Sequence, residues 1–303
     1  MFRQSFLFLR AFMPNLLLLT TFLRELFVER TLPREPEPDL IMDDPVQVSA
    51  YVDAGRINGV MAAAYIFHSA RISQVIQGCS NVLDLGCGPA TQLAQVAELN
   101  PDISFTGIDL SATMLTDAEK HIKNLGLTNV TFHQGNLVDL KEVQDKSIDA
   151  VISTMALHHL PTLQNLEDCF ASINRVLKPD GSIYITDFGR LKSLKSVITL
   201  AYMNAKHQPH IFSLDYERSL RAAFLKEEFE MLAAQYLPKH VSILSTFKMP
   251  ILVVIKTKDN PLPKKLNDQL KNLRKALPSR YRRDLDDIRT FFKFGGLAND
   301  PFR

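Results

Sequence analysis

The sequence predicts an α/β chain built on a doubly wound, mostly parallel sheet, and three observations carry that expectation. Short β-rich runs alternate with helical segments between residues 79 and 257, the pattern of consecutive βαβ units. The first run leads into a glycine loop that opens a helix, as the strand-to-helix turns of such units do. Two further apolar runs lie close together near the end, with Met249 and Pro250 between them, and read as a tightly turned antiparallel pair that finishes the sheet.

Taken in order, the predicted strands are 81–85, 104–109, 130–133, 149–153, 182–187, 242–247 and 251–257, seven in all. Helices are expected over 91–98, 112–125 and 163–177, each crossing over between parallel strands in the right-handed sense. Ahead of the sheet, residues 46–77 carry apolar side chains at helical spacing, broken near Gly55 and Gly59, which predicts two helices. After the fifth strand, 216–236 reads as an amphipathic helix. Residues 264–292 place Leu266, Leu270, Leu273 and Leu277 at helical spacing, followed by the charged patch RYRRDLDD. That patch is expected to be a solvated face with internal ion pairs.

The N-terminal residues 5–28 are apolar, but Arg10, Pro14 and Arg24 interrupt them, and the longest uncharged run, 11–23, falls short of the about 18 residues a membrane span needs. No small-residue cleavage site follows. Burial within the protein is the expectation; peripheral membrane contact or dimerisation through an amphipathic helix is the alternative. Residues 33–45 (PREPEPDLIMDDP) punctuate the chain with prolines and acids and read as a solvated linker. The expected organisation is an N-terminal helical arm and lid over 1–78, a sheet domain over 79–258 with a cap segment at about 190–240, and a C-terminal helical extension over 259–303.

Composition narrows the function. Lys and Arg number 35 against 33 acids, a net charge of +2, which gives no basic footprint for nucleic acid. The 3 cysteines lack metal-ligand spacing, so neither a structural metal nor a disulfide framework is expected, and a reducing cytoplasm is.

The chemistry concentrates in VLDLGCGPATQ, where Asp84 stands two residues before Gly86 and Gly88. A dinucleotide loop also needs glycines between strand and helix, but it wants Gly or Ala where Thr91 stands, and a carboxylate at Asp84 would repel a pyrophosphate. That carboxylate suits an ammonium group instead. The second run ends at Asp109, placed to accept both hydroxyls of a ribose.

These residues, with Ala90, the Gly135-Asn136 pair, ISTMALHHL and RVLKPDGSIYITD, resemble class I S-adenosylmethionine-dependent methyltransferases across residues 77–257. The resemblance implies a Rossmann-like sheet and S-adenosylmethionine as cofactor. It also implies that Asp84, Gly86 and Gly88 hold the methionine moiety, Asp109 the ribose and Asn136 the adenine, with Leu110 and Leu137 on the faces of the ring. Ala90 stands for the usual third glycine and Asn136 for the commoner aspartate. Tyr51, Arg56 and Tyr65 are candidates to cap the cofactor or hold its carboxylate, and Tyr65 is also set among the catalytic candidates. His158, His159 and Asp187 are candidates for acceptor contact, orientation or proton removal, the histidines having loop fixation as the competing role. His207, His210 and Tyr216 are weaker pocket candidates.

The expected function is methyl transfer to a small-molecule acceptor in a lidded, mostly apolar pocket. Two alternatives remain open on sequence. One is a cyclase of the azetidine-2-carboxylate synthase type, which releases methylthioadenosine, and the other is a non-catalytic, cofactor-binding regulatory protein.

Overall fold

The computed structural model describes residues 16–38, 45–55, 58–238 and 240–302. Three helices precede the sheet: α1 (Leu16–Phe27), α2 (Pro45–Gly55) and α3 (Ala62–Val75). The sheet then alternates as β1 (Asn81–Leu85), α4 (Thr91–Leu99), β2 (Ser104–Asp109), α5 (Ala112–Leu125), β3 (Val130–Gln134), β4 (Ile148–Thr154), α6 (Leu163–Val176) and β5 (Leu177–Phe188). Next come α7 (Leu194–Tyr202), α8 (His210–Ala222), α9 (Lys226–Tyr236), β6 (Ser242–Ser245), β7 (Leu252–Lys256), α10 (Lys264–Ala276) and α11 (Ser279–Phe294).

The seven strands lie in the order β3-β2-β1-β4-β5-β7-β6, parallel from β3 to β5 and antiparallel at β7 and β6. Strand order reverses between β1 and β4, so the loops after these strands diverge and leave a crevice at their carboxyl ends. Local signals set the helix ends. Ser111 caps α5 by accepting from Met114 N at 3.0 Å, and Gly126 ends it at φ 67°. Thr162 caps α6 by accepting from Asn165 N. One face of the sheet packs on α3, α4 and α5 with the C-terminal helices, the other on α6 and α9.

Several expectations are corrected here. The strands of the closing pair are joined by residues 246–251, longer than the tight turn expected, because Thr246 folds back with its Oγ1 donating to Met249 O. Residues 216–236 form parts of two helices. Phe224 is buried between them, and the backbone carbonyls freed at the break are taken by Arg34 Nε on Ala222 O (2.7 Å) and Arg190 Nε on Ala223 O (2.9 Å). The 264–292 run is likewise two helices, since Pro278 denies the helix an N–H and disfavours helical backbone at Leu277.

The arm and linker also depart from expectation. α1 lays Thr21 and Glu25 against the protein, with Glu25 accepting from Lys192 N and Ser193 N ahead of α7. Its other face exposes Leu19, Leu23 and Phe27, so burial is one-sided. No helix among the described residues is long and apolar enough to cross a membrane. Residues 33–38 are not a solvated linker: Arg34 and Glu37 reach into the body of the molecule.

α3 is buried nearly all round, although it carries His68, Ser69, Arg71, Ser73 and Gln74 among its apolar residues. Phe67 stacks on Phe292 of α11 with ring centroids 5.2 Å apart, and Arg71 Nη1 donates to Ala298 O at 2.7 Å, which fastens the C-terminal helices beneath the sheet. Beside them, His68 Nδ1 meets Tyr184 Oη at 2.7 Å. Burial, then the Arg71 charge, pushes His68 from 6.5 down to about 3, so it is neutral in the folded chain at neutral pH. The unfolded histidine binds a proton that the folded one refuses, and stability is therefore lost as pH falls from about 6.5 toward 3. Urea unfolding should show a contribution of up to about 1.4 kcal/mol per pH unit from this group. That slope should flatten in His68→Gln; an unchanged slope would contradict the assignment.

Candidate functional site

The site is built where the sheet reverses. After β1 the chain turns through Gly86 (φ 71°) and Gly88 (φ 52°), and Gly86 N and Cys87 N both donate to Ile108 O at 2.8 and 3.1 Å. A Cβ on Gly86 would stand 2.3 Å from Ala156 Cβ, whereas one on Gly88 would meet nothing within 4 Å. The first glycine is therefore a packing requirement and the second keeps the loop open toward the crevice. Ala90 takes the left-handed conformation (φ 59°) as N-cap of α4, which explains why glycine is usual at this position.

Asp84 and Asp109 close neighbouring strands. Asp109 Oδ2 accepts from Gly88 N at 2.8 Å and Oδ1 from Ser111 N at 2.9 Å, leaving each oxygen a further lone pair. Burial raises its pKa against those two backbone bonds. Asp84 is 3% exposed and does not itself border the cavity that opens here, and no hydrogen bond or ion pair from the other described residues reaches its carboxylate. Burial first, and the Asp109 charge second, push it well above the usual carboxylate range.

A cavity of about 390 Å³ opens from this loop. Gly86, Gly88, Asp109, Leu110, Asn136 and Leu137, all named from sequence as candidates to hold the cofactor, border it at one end. Asn136 Oδ1 accepts from Val138 N at 3.1 Å, which fixes the side chain at the rim. His158 and His159 border the cavity beyond β4, next to Met155, whose φ of 54° stores of the order of 1 kcal/mol of strain. Phe188, Phe212, Tyr216 and Ile251 continue the wall. Asp215, Asp284 and Asp287 complete it; burial, then Asp284 and Asp286, raise Asp287 to about 6. The charged patch of the C-terminal helices thus contributes two carboxylates to the cavity and is not only a solvated face.

Other candidates are relocated. Tyr65 is buried and does not border the cavity; its ring packs beside Gly55 and Thr91, a structural position that removes it from the catalytic set. Asp187 is 1% exposed and also stands behind the wall. Its carboxylate accepts from Leu157 N (2.6 Å), His158 N (3.1 Å), Phe188 N (2.6 Å) and His158 Nδ1 (2.7 Å), so it orients His158 and does not touch an acceptor. His207 and His210 are exposed and off the cavity. Arg56 and the Tyr51 side chain lie outside the described residues.

Sequence reading missed Glu37. Its Oε2 lies 2.6 Å from His159 Nδ1, its Oε1 lies 4.0 Å from His158 Nε2, and Ser219 Oγ donates to Oε1 at 2.8 Å. Burial alone would raise the Glu37 carboxyl, but the bond and charge of His159, with His158 and Ser219 assisting, hold it down at about 2. Burial likewise disfavours the His159 imidazolium, and Glu37 outweighs it and raises the pKa. Arg34 locks the segment in place, its Nη2 donating to His158 O at 3.0 Å and Leu160 O at 2.5 Å. Proline-flanked acids gave no sign of this, because the contact joins residue 37 to residues 158, 159 and 219, far along the chain.

The glycine contrast yields a test. Gly86→Ala forces a side chain into the left-handed region and against Ala156, and thermal unfolding should show a loss of about 2–4 kcal/mol. Gly88→Ala, with free space for its Cβ, should lose only about 1 kcal/mol. Equal losses would refute the distinction.

Known proteins share this architecture. A methyltransferase domain family model matches residues 77–230, about half of the chain. An uncharacterised protein of Rickettsia prowazekii is 28% identical over 174 residues, 52% of this chain and 31% of that protein. A demethylmenaquinone methyltransferase of Listeria welshimeri is 34% identical over 114 residues, 37% of this chain and 46% of that protein. Among solved structures, the plantazolicin methyltransferase BpumL in complex with SAH aligns with a TM-score of 0.54 at 17% identity, over 78% of this chain and 88% of that one, a likeness of fold. The chain spans less than half the length of these curated relatives. Because the matched residues are those that build β1 to β5 and the loops at their carboxyl ends, the chain belongs to the methyltransferase domain family.

Proposed function

We propose that the protein binds S-adenosylmethionine and transfers its methyl group to a small acceptor, with Asp84 as the observation that carries the reading. A buried carboxylate set beside a second one is costly to ionise, and a cationic ligand at the glycine loop relieves that cost. The ammonium of S-adenosylmethionine supplies such a charge. Gly88 leaves room for close approach, Asp109 keeps lone pairs for a ribose diol, and Leu110, Asn136 and Leu137 border the space an adenine would take. The residues fit the cofactor.

The acceptor end supports a small, largely apolar molecule that is neutral or cationic. Among the described residues bordering the cavity none is Lys or Arg, while Asp215, Asp284 and Asp287 are present, a lining that disfavours phosphate-bearing acceptors such as nucleic acids. Residues from α1, α8 and α11 (Leu18, Phe212, Phe291) cover this end and act as the lid in our reading. Cys79, Cys87 and Cys169 are all free, which suits a reducing cytoplasm.

Methyl transfer breaks the sulfonium C–S bond as the nucleophile bonds to carbon, and S-adenosylhomocysteine leaves. The protein's task is to align the two ends of the cavity and keep water away. His158 stands at the wall of the acceptor end: Asp187 holds Nδ1, which leaves the Nε2 lone pair available there to a proton or a cation.

Calorimetry tests the cofactor site. Asp84→Asn should weaken S-adenosylmethionine binding by about 1.5–3 kcal/mol, roughly 10- to 150-fold. Because burial disfavours the ionised Asp84 carboxyl that an ammonium needs, wild-type binding should weaken as pH falls, and that pH dependence should be smaller in the variant. Mass spectrometry then tests the reaction across small hydroxyl and amine acceptors. S-adenosylhomocysteine formed only with an acceptor is the expected result, whereas methylthioadenosine formed from S-adenosylmethionine alone would replace methyl transfer by cyclisation.

A further inference from the structure

Glu37, His158 and His159 bring one carboxylate and two imidazoles to a single point on the cavity wall, with ligand atoms that all lie within 4.8 Å of one another. We propose that these three side chains form a binding site for one first-row divalent cation, of the Zn²⁺ or Fe²⁺ class. Its remaining coordination positions would face the acceptor end of the cavity. The role given to the ion rests on the methyl-transfer reading above; the binding site itself does not.

Four features support a metal site over a simple ion pair. First, the donor set is mixed: two neutral-capable imidazoles and one carboxylate suit first-row cations that accept nitrogen and oxygen ligands and leave positions open for substrate. Second, each of His158 and Glu37 has an outer partner. Asp187 Oδ1 holds His158 Nδ1 at 2.7 Å, which directs Nε2 toward Glu37, and Ser219 Oγ holds Glu37 Oε1 at 2.8 Å. A carboxylate behind a histidine is the arrangement that fixes tautomer and ring orientation in metal sites.

Third, the backbone that carries the ligands is tied down on both sides. Arg34 donates to the carbonyls of His158, Leu160 and Pro161 from the segment that bears Glu37, so the two pieces of chain approach in a fixed geometry. Fourth, the site is partly screened from water yet open to the cavity. His158 and Glu37 side chains are 3% and 12% exposed, while His158, His159 and Ser219 all border the cavity. A cation there would take an acceptor hydroxyl as a further ligand and lower its pKa, so that the proton passes to solvent and the oxygen attacks as an alkoxide or phenolate.

The test uses tag-free, chelator-stripped full-length protein without S-adenosylmethionine. Co²⁺ is titrated while the visible d–d absorption is followed, and Zn²⁺ is titrated by calorimetry. One equivalent should bind. Glu37→Gln and His159→Gln should each weaken binding more than about 100-fold, and Asp187→Asn, which removes only the outer partner, by about 10- to 100-fold. His207→Ala and His210→Ala, at exposed histidines away from the cavity, should leave it unchanged. Circular dichroism checks that each variant is folded, and His159→Gln, at a half-exposed position, serves should Glu37→Gln unfold. Binding far below one equivalent, or binding equal to wild type in folded Glu37→Gln or His159→Gln, overturns the site. Methylthioadenosine release would overturn methyl transfer alone and leave the metal result standing.

Discussion

The structure turns on two carboxylates held at the ends of neighbouring strands, Asp84 buried and Asp109 half-buried at the cavity. Asp84 and Asp109 sit where β1 and β2 stop, and the Asp109 charge adds to the cost of ionising Asp84. Nothing in packing requires this; an apolar residue at Asp84 would fill β1 more cheaply. The sheet order makes the arrangement tolerable by placing the open crevice of the β1/β4 reversal directly beside both acids. Backbone N–H groups of Gly88 and Ser111 answer Asp109, whereas none of the other described residues answers Asp84, which is why the proposed cofactor reading rests on it. Much of the surrounding backbone, including the positive φ at Gly86, Gly88 and Ala90, follows from bending the chain around that point.

The acceptor end depends on a different constraint, the meeting of distant segments. Residues 33–38 run across the loop after β4, and Arg34 closes carbonyls from that loop and from the end of α8 while its guanidinium lies 3.9 Å from the Phe224 ring. Burial, and then the neighbouring Arg190, lowers the Arg34 pKa to about 10, still far enough above neutrality to keep it cationic. Glu37 then arrives at His159 with its own charge matched. The two ends of the cavity are therefore built by different means: local loop geometry on one side, long-range ion pairing on the other.

This division explains what the sequence made legible. β1, β2 and α5 have the bounds their residues predict, because alternation, glycines and caps act over a few positions. Gly86, Gly88, Asp109, Leu110, Asn136 and Leu137, expected from sequence to hold a cofactor, border one cavity for the same reason, while Asp84 stands behind it. Glu37 was invisible: prolines and acids around it describe a linker, and only the tertiary path of the chain sets it beside His159. The acids Asp284 and Asp287 were hidden similarly, since a charged helix face reads as solvated until another wall is built opposite. Tyr65 erred the other way, a polar aromatic that looked functional and is packed against Gly55.

Asp187 shows how the two ends are kept in register. It closes β5, whose residues pair with β4 on one side and β7 on the other, so its backbone is among the most constrained in the sheet. Four donors converge on its carboxylate, and three of them belong to the Leu157–His158 turn. The turn that presents both histidines is thus hung from a central strand and not from its own loop. Since β4 also pairs with β1, displacement of the histidine turn is resisted by the same sheet that carries Asp84. The methyl transfer proposed above, which needs nucleophile, methyl and sulfur in line, would draw on such a shared rigid reference. The strained backbone at Met155, where β4 gives way to the turn, is where that reference is tied to the cavity wall.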